Sequence, residues 1–133
     1  MEKCQMMSSN NGWVLLIGRT LLAAIFLWSG FGKVMAYAGT TGYMENFGVP
    51  GAILPAAIAL ELVGGLLLLI GWRTREVALI LAAFCVVSAL IFHTDFADRN
   101  QMIHFMKNLS MAGGFLALFV AGAGAISADA RRA

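Results

Sequence analysis

The stretch Ile53-Leu54-Pro55-Ala56-Ala57-Ile58-Ala59-Leu60-Glu61-Leu62-Val63-Gly64-Gly65-Leu66-Leu67-Leu68-Leu69-Ile70 carries one charge among apolar and small residues. At about 1.5 Å per helical residue it is long enough to cross a hydrocarbon layer of about 30 Å. Pro55 suits the first turn of such a helix, where its missing N–H is harmless. Glu61 lies near the middle. A carboxylate at that depth costs about 3 kcal/mol on insertion scales, so it must face protein or water and find a partner. The run therefore reads as a membrane helix with one side committed to a protein interior.

Three more apolar runs flank it, and together they predict an all-α, integral-membrane four-helix bundle. Its helices are expected near residues 13–32, 53–71, 76–92 and 102–123, within a membrane domain spanning 13–126. Residues 1–12 read as a flexible cytoplasmic tail, with Asn10 and Asn11 as helix caps, and 127–133 as a cytoplasmic C-tail. The first apolar run is too long for a signal peptide, no small-residue cleavage site follows it, and Lys33 comes directly after. Residues 32–52, rich in Gly, Tyr and Thr, read as a loop. Arg73-Thr74-Arg75 reads as a tight turn, and residues 93–101 as a polar loop.

Composition agrees. The chain is 60% hydrophobic and 12% charged, with a mean hydropathy of +0.82, against about 25% charged residues in soluble domains. It holds no basic block of the kind that binds nucleic acid. Cys4 and Cys85 are far apart and form no C-x-x-C, which argues against a dithiol redox centre or a cysteine-based zinc site. His93 and His104 would lie at similar depth on different helices, but no third ligand pattern joins them and Lys107 is close in sequence, so no metal site is expected. Lys3, Arg73, Arg75, Arg131 and Arg132 fall on one side of the predicted bundle. Lys33, Arg99 and Lys107 fall on the other. This bias places both termini in the cytoplasm, with Trp13 and Trp72 at that interface.

Polar residues inside the spans form the candidate site. Arg19 would lie about 9 Å deep from the cytoplasmic side and Glu61 about 14 Å, so a buried Arg19–Glu61 pair is expected. His104, Asn108 and Met111 share a face by i, i+4, i+7 spacing, and Arg19, Phe26 and Lys33 share one by heptad spacing. A polar seam would then run from Lys33 and His104, through Asn108, to Glu61 and Arg19. Such a seam suits the polar head of a lipid-soluble ligand or a proton relay. A purely structural ion pair that fixes helix register satisfies the same chemistry. The glycine pairs Gly64-Gly65 and Gly113-Gly114 read as places of close helix packing.

Several motifs in order resemble the DoxX family: Gly32-Lys33, Tyr37-Ala38-Gly39-Thr40, and Tyr43-Met44 before Gly48-Val49-Pro50. They continue with Leu60-Glu61, Gly64-Gly65, Gly71-x-Arg73-Thr74-Arg75, Phe92-His93-x-x-Phe96, Phe105-Met106-Lys107-Asn108-Leu109 and Gly113-Gly114. The likeness covers nearly the whole chain after residue 12. It implies a four-helix bundle in a bacterial inner membrane, and family-pattern positions at Arg19, Lys33, Glu61 and Asn108. Family members have been linked to quinone-coupled thiosulfate oxidation and to membrane oxidoreductase complexes.

Three functions follow as expectations. The first is a membrane module that binds a quinone or similar lipid-soluble molecule for a redox partner, using Arg19, Lys33, Glu61, Asn108 and His104. The second is a non-enzymatic assembly or scaffold subunit. The third is a small transporter that would need to form a homo-oligomer, because four helices alone enclose little water.

Overall fold

The computed structural model describes the backbone of residues 2–132 and the side chains of residues 11–131. The elements are α1 (Glu2–Met35), α2 (Tyr37–Asn46), a 3-10 turn (Gly51–Ile53), α3 (Leu54–Ile70), α4 (Thr74–Phe92), α5 (Arg99–Ala121) and α6 (Ala128–Arg132). No strand occurs among the described residues. Four segments are long and apolar enough to cross a membrane: Asn11–Met35, Gly51–Ile70, Thr74–Phe92 and Arg99–Ala121. The all-α four-span architecture is as the hydropathy predicts.

Helix α1 packs along α3, and α4 along α5. Fewer contacts between α3 and α4, and between α1 and α5, close the bundle. Its core is formed by Ala23, Phe26, Leu68, Leu81, Cys85 and Phe115, with small residues such as Ala78, Ala82 and Ala112 between them. Phe26 sits edge-on to Phe115, with ring centroids 5.5 Å apart. The large apolar side chains on the outer faces, such as Trp28 at 79% exposure, suit contact with lipid.

Two glycines set the register of α1 against α3. A Cβ on Gly30 would stand 2.8 Å from Leu62 Cδ2, and one on Gly65 would stand 2.9 Å from Leu27 Cδ2. Neighbouring Gly64 faces the other way, toward Leu81 of α4. The Gly64-Gly65 pair therefore lets α3 lie close to both α1 and α4, as small residues do between membrane helices. In the second pair, Gly114 faces Leu22 of α1, whereas Gly113 faces open space.

Three boundaries differ from the sequence reading. Helix α1 begins at Glu2 rather than near Trp13. Nothing between them breaks a helix, and Gly12 is buried beside Ala125. Residues 37–46, expected as loop, are helical. Thr40 and Thr41 bond back to the carbonyls of Ala36 and Ala38, and burial of Met44 outweighs the helix-weakening glycines. Helix α5 begins at Arg99 rather than 102, because the Asp98 carboxylate accepts the Asn100 N–H at 2.9 Å as an N-cap.

The C-terminal segment is also more than a tail. The Asp129 carboxylate accepts the backbone N–H groups of Arg73 (2.7 Å) and Thr74 (2.9 Å). It thereby caps α4, whose own preceding residue, Arg73, is left-handed at φ 50° and supplies no side-chain cap. The Asp129 N–H returns a bond to Gly71 O at 2.8 Å. Replacing Asp129 with Ala is expected to cost about 1–2 kcal/mol, read as a lower midpoint of unfolding in mixed micelles. Asp129→Asn, which keeps one acceptor, should lose less.

Candidate functional site

The two hairpins are tied together by the short α3–α4 turn at one end of the bundle. At the other end a cavity of about 580 Å³ lies among α1, α2, α3, α4 and α5. Its apolar wall includes Phe26, Leu60, Phe84, Ile91 and Met111. Thr40, Tyr43 and Met44 of α2 lie across one side. Tyr43 stacks on Phe92 at 5.6 Å between centroids, and Phe47 meets both rings. This aromatic cluster holds α2 against the end of α4.

The polar part of the wall is ordered by one ion pair. Lys33 Nζ donates to Glu61 Oε1 at 2.8 Å, to Glu61 Oε2 at 3.0 Å and to Ser29 Oγ at 2.8 Å. The three acceptors match the three N–H bonds of an ammonium group. The Glu61 side chain is 3% exposed and that of Lys33 26%. The pair has a local cause. Ser29 lies one helical turn before Lys33, and helical side chains lean toward the N-terminus. The glycine contacts that bring α3 against α1 at Gly30 place Glu61 where the leaning ammonium arrives.

Asn108 and His104 face the same cavity from α5. The Asn108 amide donates one N–H to His104 O at 2.9 Å. Its Oδ1 has no partner among the described residues. The His93 and His104 rings lie 5.2 Å apart, and His93 Nδ1 is 3.0 Å from Gln101 Oε1. Among the described residues no group of three or more His, Cys, Asp or Glu side chains converges.

Four of the five residues singled out from the sequence thus line one cavity: Lys33, Glu61, His104 and Asn108. The shared face of His104, Asn108 and Met111 is as the spacing predicts. The fifth, Arg19, lies elsewhere, and the expected Arg19–Glu61 pair does not form. Arg19 is fully buried near the turn end of the bundle. Its Nη1 donates to Leu68 O at 3.0 Å and its Nη2 to Ile126 O at 2.5 Å, while Nε has no partner among the described residues. The physical reason is the end of α3. Leu68 lies in the last turn, whose carbonyls have no intrahelical donors and carry the negative end of the helix dipole. It is also about 10 Å along the axis from Glu61. Arg19 completes the α3 terminus and ties it to the segment after α5, whereas Glu61 takes the cation nearer its own level.

Ser29 and Ser88, outside the set expected from the sequence, add hydroxyls to the wall. Each is an isolated polar residue in an apolar helix, and Ser29 stands four residues before Lys33. That spacing was the available signal for Ser29. Nothing comparable marked Ser88.

The DoxX family model matches residues 14–94. The chain is 47% identical over 115 residues to inner membrane protein YqjF of Escherichia coli (strain K12), covering 86% of this chain and 88% of that one. It is 39% identical over 125 residues to inner membrane protein YphA of the same organism, covering 89% of each. No solved structure matches. With four apolar spans, the family motifs in order and likeness over most of its length, the chain belongs to the DoxX family of membrane proteins.

Proposed function

We propose that this protein is a bacterial inner-membrane subunit that holds one lipid-soluble molecule with a polar head, of the quinone type, for a membrane redox partner. The observation that carries this reading is the cavity itself. Its volume of about 580 Å³ lies within the roughly 300–1,000 Å³ of small-molecule sites. Its wall is largely apolar, with the few polar groups of Lys33, Glu61, Asn108 and His104 gathered on it. Ile25, Val87 and Ile91 line it while remaining at least a third exposed, so a ligand dissolved in the bilayer has a short path in. Both termini lie in the cytoplasm on this reading, supported by the greater share of Lys and Arg at the turn end.

The test is mass spectrometry of organic extracts from protein purified in native-lipid discs, with wild type beside Ala57→Trp. Ala57 lines the cavity, and an indole there fills the space without removing the ion pair. A specific lipid-soluble molecule is expected to be enriched with the wild type and reduced at least tenfold in the variant. Bulk lipid alone in both samples would overturn the reading.

A further inference from the structure

We infer that the cavity selects ligands with an uncharged, hydrogen-bonding head, and that Glu61 is the residue that excludes anions. The inference rests on the ligand-binding reading above and specifies what the site takes. Lys33 is the cavity's one permanent cation among the described residues, and its ammonium is fully engaged by both Glu61 oxygens and Ser29. A carboxylate, sulfonate or phosphate head would have to break that arrangement. It would then sit beside a buried carboxylate in a low-dielectric wall, where an unpaired charge is costly.

What remains for a ligand is neutral. Asn108 offers its Oδ1 and the second amide N–H, since one N–H is held by His104 O. Ser29 accepts from Lys33 and keeps its own O–H to donate. Ser88 and the His104 ring complete the set. These groups both donate and accept hydrogen bonds, which suits a ring carbonyl or hydroxyl, with the apolar wall receiving the rest of the molecule. Removing the negative charge while keeping the side-chain shape, as in Glu61→Gln, would leave Lys33 as an uncompensated cation facing the cavity. The same wall would then attract anions.

The experiment compares two radiolabelled probes of equal chain length, a decyl benzoquinone and decanesulfonate. Retention is measured by equilibrium partition into protein-bearing lipid discs, corrected for empty discs. Wild type should retain the neutral probe at least tenfold better than the sulfonate. Glu61→Gln should gain at least tenfold in sulfonate retention. The double variant Lys33→Met/Glu61→Gln, whose cavity wall has no Lys or Arg among the described residues, should show no such gain. Equal retention of both probes by wild type overturns the inference and leaves ligand binding standing. So does a folded Glu61→Gln protein that gains no sulfonate, or a double variant that gains as much. If Glu61→Gln does not fold, the wild-type comparison decides alone. Retention of neither probe by wild type removes the ligand-binding reading, and this inference with it.

Discussion

Replacing Gly71 with Ala is expected to cost about 3–5 kcal/mol of bundle stability. Two costs combine. Gly71 ends α3 at φ 74°, where a residue with a side chain pays about 1–2 kcal/mol. The new Cβ would also fall 2.1 Å from Arg19 Nη1 and 2.5 Å from Ser127 Cβ. Arg19 must then leave the site where it binds Leu68 O and Ile126 O, and bonds from a charged group are worth about 1.5–3 kcal/mol. Gly48 is the control. It has a similar φ of 79° but open space around the built Cβ, so Gly48→Ala should show only the backbone cost. Unfolding of the two variants in mixed micelles measures the difference. Equal losses would show that Arg19 does not hold the position the geometry gives it.

Breaking the Lys33–Glu61 pair from one side is expected to be comparably severe, at about 3–5 kcal/mol for Lys33→Met, because the change strands a buried carboxylate. The double replacement Lys33→Met/Glu61→Met removes both charges and should recover most of the loss, to within about 1–2 kcal/mol of wild type. The result is read as a double-mutant cycle. Additive losses would mean the two side chains do not interact in the membrane. Strong recovery would mean that stability alone gives no reason to keep the pair, which leaves the charge pattern of the cavity as its use.

Buried Arg19 and partly exposed Lys33 thus take different roles. Arg19 and its two carbonyl acceptors lie at the end of the bundle where α3, α4 and the C-terminal segment meet, together with the Asp129 cap on α4. Lys33 lies at the end where the hairpins part and the cavity opens. The first cluster closes helix termini, and the second sets the polarity of a cavity wall. Both were visible in the sequence as charges in apolar runs. Nothing in their depth alone said which one Glu61 would meet, since helical rise gives position along the axis and not the face or register of a neighbour.

The sequence by itself determined that this is a four-span, all-α membrane protein, because a long apolar run inside lipid pairs its own backbone groups by forming a helix, and four such runs are plain in the chain. It also determined the shared face of His104, Asn108 and Met111, because helical periodicity is a local property. The tertiary structure decided the rest. It turned residues 37–46 into a helix across the cavity, paired Glu61 with Lys33, and recruited Asp129 to cap α4 from 55 residues away. The cause in each case is contact between distant segments. The close approach of α1 and α3 at Gly30 and Gly65, and the meeting of Arg19 with the Leu68 carbonyl at the end of α3, arise only once the helices are packed. They decide which charge reaches which partner.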